Sequence, residues 1–269
     1  MDLVLTPLAN VAANSKATGK WNDALGYTID RIILTLGGGV MTKALMSNIK
    51  LQANGKTFWE DTGSRTDSRM QHRGITASAN YLAIDFSEIR ARTIVGQSVG
   101  GIDTVSCGIR DLSAEITIGA ATTPTISAIA QVSAAPQKDQ SYSTLMSKVL
   151  SFTQNFGAAG EFPLDIPYGR QAGAQIKRVF LFGATVTAAR VKKNGIDVWN
   201  RNDALNDFIL TEYQRTPQAN MVCIDFIEDG NMSKAHNAAN SQTHQWFATV
   251  SGAGNVDVVC ELLDPLANN

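Results

Sequence analysis

The sequence is poor in cysteine, histidine and aromatic residues, and neither sign of charge dominates. Its 269 residues include three cysteines, three histidines and 7% aromatic residues, and the formal net charge is −1. Cys107, Cys223 and Cys260 form no CxxC pair, which predicts free, buried thiols in a reducing compartment. The near-neutral charge argues against a protein that binds nucleic acid specifically, because such proteins normally carry a basic excess.

Long apolar runs are also missing. No segment approaches the ~20 consecutive apolar residues that a membrane-spanning helix needs. The opening stretch MDLVLTPLAN carries an acid where a signal peptide carries basic residues. We therefore expect no transmembrane segment, and a protein that is made and folded in a cytoplasm.

What the sequence does contain is a long internal repeat. ANYLAIDFSE (79–88) and ANMVCIDFIE (219–228) share six of ten residues at a separation of 140. KLQANGKTFW (50–59) and RVKKNGIDVW (190–199) match at the same separation. This period is the length of a whole domain, which indicates two similar domains in one chain.

A third matched pair is displaced from the other two. IDRIIL (29–34) resembles IKRVFL (176–181) at a separation of 147, which implies a seven-residue insertion in the first copy near Gly37–Gly39. This glycine run lacks the spaced glycines and the lysine of a phosphate-binding loop, so we interpret it as a bulge or a flexible turn.

Each repeat has the pattern of an antiparallel β-sandwich. Asn54-Gly55 and Asn194-Gly195 predict type I′ hairpins, each ending in a tryptophan, Trp59 or Trp199. We interpret these tryptophans as packing residues rather than as a sugar-binding platform. Alternation in the strand motif predicts one buried face, which comprises Leu82, Ile84, Phe86, Val222, Ile224 and Phe226. The opposite face carries Asp85 and Asp225 and is expected to be less buried or to meet another surface.

Helix signals are few. Leu205, Phe208, Ile209 and Tyr213 have helical spacing behind a possible cap at Asn202, whereas residues 61–74 are a weaker helix candidate. The fold class is therefore all-β, with two tandem jelly-roll β-sandwich barrels and a few short inserted helices. We place the first jelly roll at 1–135, a connection at 136–173 with a short helix over 144–150, and the second jelly roll at 174–269.

Acidic residues recur after the same strand in both copies. Carboxylate and carbonyl oxygens are the ligands that calcium prefers, so these acids are calcium candidates, with a solvated strand end as the alternative. The candidates are Asp85, Glu88, Asp225, Glu228 and Asp229. No other cofactor is indicated. His72, His236 and His244 lack the spacing of a transition-metal site, and we expect them at the surface or at strand ends.

The order of the matched blocks also resembles a known family. RIILTLGGG, NIKLQANGKTFW and NYLAIDF in the first copy, with VKKNGIDVW and NMVCIDF in the second, resemble double jelly-roll major capsid proteins of tailless icosahedral viruses. The corticoviruses, which are membrane-containing bacteriophages, have the most similar pattern, and the likeness covers essentially the whole chain. None of these blocks is a catalytic signature.

The resemblance implies a capsid subunit. It implies a homotrimer, a capsomer with a six-sided outline that tiles an icosahedral shell over an internal membrane, and contacts with other capsid and membrane-associated virion proteins. Independently of the family, two similar domains in each of three chains make six similar lobes in a ring. We expect the ring contact to use the connection, through Phe152, Phe156 and Phe162, or the faces that carry Asp85 and Asp225.

Two other classes of function are less well supported by the sequence. A carbohydrate- or receptor-binding double β-sandwich would need exposed aromatic residues on one face, yet most aromatic residues lie within apolar strand patterns. An enzyme would need paired acids near a nucleophile, and no motif supplies them. The sequence therefore favours a structural shell protein without an active site.

Overall fold

The first half of the chain folds into a nine-stranded jelly roll, called here the first roll. The computed structural model describes residues 1–134, 144–239 and 241–268. The strands of the first roll are β1 (Asp2–Val4), β2 (Lys16–Lys20), β3 (Tyr27–Val40), β4 (Met46–Ala53), β5 (Lys56–Asp61), β6 (Tyr81–Asp85), β7 (Ile102–Asp103), β8 (Leu112–Ile118) and β9 (Thr122–Ala134).

The second roll repeats this plan with eight strands. They are β10 (Leu145–Phe156), β11 (Gly160–Leu164), β12 (Gln175–Phe182), β13 (Val186–Lys193), β14 (Ile196–Asn202), β15 (Met221–Asp225), β16 (His244–Val250) and β17 (Gly254–Pro265). The α-helices are α1 (Gly63–His72), α2 (Ile94–Ser98) and α3 (Asp203–Glu212), and single 3-10 turns span Asn22–Ala24, Lys43–Leu45 and Met232–Lys234.

The strands form three sheets, one of which runs through both rolls. The order β1-β9-β3-β6, with β7 also on β3, makes one sheet, and β11-β16-β13-β14 makes another. The third sheet has eight strands in the order β15-β12-β17-β10-β5-β4-β8-β2. Its two halves meet at one parallel bridge between Trp59 on β5 and Val149 on β10. The first roll therefore continues into the second along a sheet edge.

The internal repeat is a repeat of topology. The order β1-β9-β3-β6 corresponds to β10-β17-β12-β15, and β2-β8-β4-β5 corresponds to β11-β16-β13-β14. The bulge beside Arg31 in β3 recurs beside Arg178 in β12, and the bulge after Leu51 recurs after Val191. Trp59 pairs with Leu51 and Trp199 pairs with Val191, so the two tryptophans occupy equivalent strands.

Both Asn-Gly pairs form the predicted tight hairpins. Asn54 and Gly55 have φ values of 51° and 76°, and Asn194 and Gly195 have values of 52° and 81°. Positive φ at both central positions is the requirement of a type I′ turn. The Gly37–Gly39 run is not a turn but lies within β3, which extends past the end of its counterpart β12. At Gly38, with φ of 94°, a Cβ atom would lie 1.9 Å from Thr123 O, so a close backbone approach requires glycine there.

The predicted connection is wrong within the described residues. Residues 145–156 form β10, and no helix spans 144–150; β10 pairs with β17 along its whole length. Residues 160–164 form β11, which pairs with β16. These strands are the counterparts of β1 and β2, so we place the start of the second roll near Leu145. The alternation of β10 is obscured because four consecutive residues, Met146 to Val149, are buried, so both faces of the strand are covered there.

The aromatic residues that we expected to join subunits belong to the second core. Phe156 is 3% exposed, and Phe152 and Phe162 pack against the same cluster. The helix expectations also need revision. The weak candidate α1 is as long as α3, and Thr62 caps it as Asn202 caps α3. The predicted apolar face of α3 is largely exposed, because Asn206 and Leu210 are its buried residues.

Within the ranges that the structure describes, no helix is long and apolar enough to cross a membrane.

Candidate functional site: a buried charge cluster between the two rolls

Two of the predicted acids, Glu88 and Asp225, lie at the seam between the two rolls, and a third, Asp85, is buried within the first roll. Asp85 and Asp225, at the ends of β6 and β15, are 2% and 1% exposed, and Glu88 is 5% exposed. The expectation that the aspartate face is less buried is wrong for these residues; it does meet another surface, since Glu88 contacts β12 and Asp225 lies beside α1. Charges buried to this degree need ionic partners.

Arg178 on β12 is the centre of the seam. Its Nε donates to Asp225 Oδ2 at 2.9 Å, and its Nη1 donates to Glu88 Oε1 at 2.9 Å and to Glu261 Oε2 at 3.0 Å. Its Nη2 donates to Glu88 Oε2 at 3.1 Å. The guanidinium therefore binds one carboxylate of the first roll and two of its own roll. Lysine could not reproduce these contacts, because it lacks the planar guanidinium group.

Two further buried ion pairs cross the seam. Lys177 Nζ donates to Glu88 Oε1 at 2.9 Å, and Arg69 Nη1 on α1 donates to Glu261 Oε1 at 2.5 Å. Arg69 also holds Asp61 of its own roll, at 3.0 Å from Nε to Oδ2. Each roll thus contributes both an acid and a base. We call this set the seam cluster: Asp61, Arg69, Arg73, Glu88, Lys177, Arg178, Arg215, Asp225 and Glu261.

The cations of the seam cluster determine how its acids titrate. Burial alone would raise the pKa of Glu88, but Arg178, Arg73 and Lys177 hold that pKa well below its usual range. Burial opposes ionisation of Glu261 as well, yet Arg69 and Arg178 lower its pKa to about 2. The pKa of Asp225 is also lowered against the effect of burial, chiefly by Arg178. These carboxylates are therefore ionised at neutral pH.

Two arginines tie the strand ends to the helices in a matched way. Arg73, just after α1, donates to the carbonyls of Asp85 and Ser87 at 2.8 and 2.6 Å. Arg215, just after α3, donates to the carbonyls of Ile227 and Glu228 at 3.1 and 3.2 Å. In each roll, an arginine that follows the helix thus positions the residues after β6 or β15 by binding their backbone carbonyls.

His72, Cys223 and Asp225 lie close enough to share an ion, with one donor atom from each within 4.8 Å of the others. His72 is fully buried, so the expectation of a surface histidine is wrong, and burial lowers the pKa of its imidazole. Asp225 Oδ2 already accepts from Arg178 and lies 3.5 Å from Arg215 Nε. A metal ion held there would lie beside two guanidinium groups, so this group fits an ion-pair role better.

Glu228 and Asp229 lie apart from the seam. Glu228 makes a bidentate pair with Arg201, at 2.6 and 3.0 Å. Asp229 accepts from Lys234 Nζ at 2.7 Å and from the Asn231 backbone N–H at 3.0 Å. The five calcium candidates therefore do not form one group, and calcium binding stays a prediction.

Sequence reasoning missed the cations of the seam. The signal that could have found one of them was present, since Arg31 and Arg178 match between IDRIIL and IKRVFL as Asp85 and Asp225 match in the strand motif. Arg31 lies opposite Asp85 and binds it, as Arg178 binds Asp225. A repeated Arg–Asp pair across neighbouring strands could thus be read from the two alignments together.

Two family models and several solved structures match this chain. Residues 3–133 match the model described as the viral coat protein P2 N-terminal domain, and residues 146–266 match that of the viral coat protein P2 C-terminal domain. No curated protein sequence matches the chain.

Three of the similar structures come from different viruses. The major capsid protein P2 of bacteriophage PM2 aligns with a TM-score of 0.88 at 21% identity, over 100% of this chain and 98% of that chain. A chain from Sulfolobus turreted icosahedral virus has a TM-score of 0.72 at 13% identity, over 98% and 90%. A chain of the PBCV-1 virus capsid has a TM-score of 0.62 at 11% identity, over 98% and 94%.

Proposed function

The chain belongs to the viral coat protein P2 family and is a double jelly-roll major capsid protein, and we propose that three copies form the capsomer of an icosahedral shell. The family and the similar structures are structural capsid proteins rather than enzymes, and the place of this chain is the virion capsid. The proposal adds a homotrimer with six similar lobes, which tiles the shell above an internal membrane.

The observation that carries this proposal is the seam. Two rolls of the same topology are held together by buried, hydrogen-bonded ion pairs in addition to the sheet edge. Buried ion pairs add little net stability compared with apolar packing, but their geometry favours one arrangement of the groups they join. A chain that presents two similar lobes in one fixed arrangement is the unit that a threefold axis converts into a six-lobed ring.

Sedimentation velocity of the purified chain tests the trimer. We expect a species of three subunits at micromolar concentration, and sheets or closed shells with six-sided units in negative-stain electron micrographs at higher concentration. A monomer at every concentration would contradict the capsomer proposal. A monomer that binds glycans on an array would support the alternative, a carbohydrate- or receptor-binding protein.

The membrane and the further partners rest on the resemblance to corticovirus capsid proteins. We propose that the chain is made and folded in the host cytoplasm and then contacts other capsid and membrane-associated virion proteins. Electron cryomicroscopy of particles that contain the chain should show a bilayer directly beneath the shell. A shell without bilayer density would remove this part of the proposal.

A further inference from the structure

Among the described residues, the two strands that meet at the seam have counterparts whose outer edges are unpaired. In the seam, the edge strand β5 of the first roll meets the edge strand β10 of the second. The counterpart of β5 is β14, which ends its sheet, and the counterpart of β10 is β1, which also ends its sheet. Unpaired strand edges of this kind are surfaces on which another chain can add.

Burial differs between the covered and the uncovered copies. Phe58 on β5 is fully buried, whereas Val198, its counterpart on β14, is 44% exposed. Ile196 on the same strand is 70% exposed. On the helices, His72 of α1 is fully buried, whereas its counterpart Glu212 of α3 is exposed. The second roll therefore lacks, in a single chain, the cover that the first roll has.

The uncovered surface carries several exposed apolar side chains. Leu205 and Phe208 on α3 are 48% and 62% exposed, and they lie in the chain segment directly after β14 with its exposed Ile196 and Val198. Exposed apolar side chains concentrated in one segment indicate a protein interface. We call Ile196, Val198, Leu205 and Phe208 the free edge.

We infer that the free edge of one chain binds β1 and β9 of a second copy, repeating the seam between chains. This inference rests on the proposed trimer and deepens it, because it states which surfaces join the subunits. The contact is heterologous, so it closes into a ring when three copies have bound. The two interfaces that we expected from the sequence are both occupied within the chain, by the seam cluster and by the second core.

The register of the contact follows from the seam. Val149, the partner of Trp59, pairs with Glu261, which pairs with Arg178. In the first roll, Asp2 pairs with Gln131, which pairs with Arg31. Since Arg31 corresponds to Arg178, Asp2 corresponds to Val149. Trp199, the counterpart of Trp59, is therefore expected opposite Asp2 of the neighbouring copy, with β14 and β1 parallel.

The chemistry of the contact differs from that of the seam. Within the chain, Arg65 on α1 binds Asp257 on β17 at 2.8 Å. The counterpart of Arg65 on α3 is Leu205. The counterpart of Asp257 on β9 is Ser127, because Ser127 pairs with Thr35 as Asp257 pairs with Phe182. An ion pair in the seam thus corresponds to an uncharged pair between chains.

This correspondence gives a test by charge restoration. Leu205→Arg and Ser127→Asp each place one unpaired charge in the proposed contact, and the double variant rebuilds the ion pair of the seam. Both positions are exposed in the single chain, so the fold should tolerate the changes. Sedimentation equilibrium measures the trimer dissociation constant, and melting temperatures check that each variant is folded. Phe208→Asp is a further variant at the free edge, and Ile94→Arg, at an apolar side chain that is 86% exposed elsewhere, is the control.

Each single variant should weaken the trimer by about tenfold or more, and the control should leave it unchanged. The double variant should bind at least about tenfold more tightly than the product of the two single effects predicts. A wild-type chain that never trimerises would overturn the proposed capsomer itself. A wild-type trimer that Leu205→Arg and Phe208→Asp leave intact, or a double variant without recovery, would overturn the free edge as the contact and leave the capsomer standing.

Discussion

Arg178 and Asp225 lie opposite each other on β12 and β15, and Arg178 Nε donates to Asp225 Oδ2 at 2.9 Å. Arg31 and Asp85 make the same pair between β3 and β6 of the first roll. The two pairs differ in their surroundings, because the Arg178 side chain is fully buried and the Arg31 side chain is 21% exposed. One pair of a duplicated set is thus the centre of the seam, while the arginine of the other pair is partly exposed to solvent.

The difference in burial predicts unequal losses of stability. Arg178→Met leaves Glu88, Asp225 and Glu261 short of a buried cation, and it should lower the free energy of unfolding by about 3–5 kcal/mol. Arg31→Met should cost clearly less. Urea denaturation followed by circular dichroism measures both. Arg190→Met, which removes a partly exposed partner of Glu161, is the control. Equal losses at Arg178 and Arg31 would contradict a special role for the seam.

A second comparison uses the phenylalanines of the strand motif. We expected both Phe86 and Phe226 to be buried. This is confirmed for Phe86 and wrong for Phe226, which is only partly buried against the second core. Phe86→Ala should therefore lower the free energy of unfolding by about 3–5 kcal/mol. Phe226→Ala should cost less, since part of its surface already contacts water. The same denaturation experiment decides, and a larger loss for Phe226→Ala than for Phe86→Ala would contradict the partial burial of the Phe226 ring.

The strand pattern and the duplication could be read from the sequence because they depend on local chemistry. Alternation placed Leu82, Ile84, Val222 and Ile224 in the cores, where they are at most 2% exposed. The two hairpins followed from Asn-Gly alone. Strands β10 and β11 could not be read in this way, because their residues do not resemble β1 and β2 and only long-range pairing reveals them.

A third prediction concerns mild acid. His244 begins β16, as expected of a strand-end histidine, whereas His236 lies eight residues earlier, outside the strands. The Nε2 atoms of the two rings are 2.7 Å apart. Burial and neighbouring cations lower the pKa of both imidazoles to about 4. The unfolded chain therefore binds protons near pH 6.5 that the folded chain does not, so stability falls as the pH drops from 6.5 towards 4.

Scanning calorimetry between pH 6.5 and 5 separates the histidines from the carboxylates, because the unfolded carboxylates titrate mainly below that range. Burial also lowers the pKa of His72, which acts in the same direction, so a variant is needed to assign the effect to the pair. We expect the melting temperature to decrease steadily over this interval in the wild-type chain. His244→Gln removes one of the two groups and should flatten the decrease. An unchanged slope in that variant would contradict a role for the histidine pair.

The fourth prediction is calcium binding by Asp85, Glu88, Asp225, Glu228 and Asp229. Within the seam, a calcium ion would have to displace arginine or lysine from its carboxylate. Glu228 and Asp229 are also paired, with Arg201 and Lys234, but these pairs are less buried than those of the seam. Both acids line an open cavity with Glu212 and with Arg90, Arg92 and Arg215, so we expect any binding at this pair. Titration calorimetry should then show heat on calcium addition that Asp229→Asn abolishes. Asp165→Asn, at a side chain that is 95% exposed, is the control. The absence of heat at millimolar calcium would rule out the prediction.

The candidate site was only half accessible to sequence reasoning. The acids were visible because they recur after a strong strand motif, and their repeated position suggested a shared role. Their partners Arg69 and Lys177 could not be predicted. Arg69 on α1 lies 192 residues from Glu261 in the chain, and Lys177 on β12 lies 89 residues from Glu88. An acid that could be a metal ligand becomes an ion-pair partner when an arginine or lysine lies beside it. Only the tertiary fold brings that cation to the acid.

Because of the buried charges at the seam, the two halves of the gene must be inherited together. A gene fragment that encoded the first roll alone would leave Glu88 and Arg69 without their ionic partners in the second roll. A fragment that encoded the second roll alone would leave Arg178, Lys177 and Glu261 without those partners in the first. A charge reversal in one half would similarly need a matching reversal in the other. Although the rolls arose as copies, recombination that exchanges one of them between distant relatives should rarely give a viable virus, and the pair should evolve as a single unit.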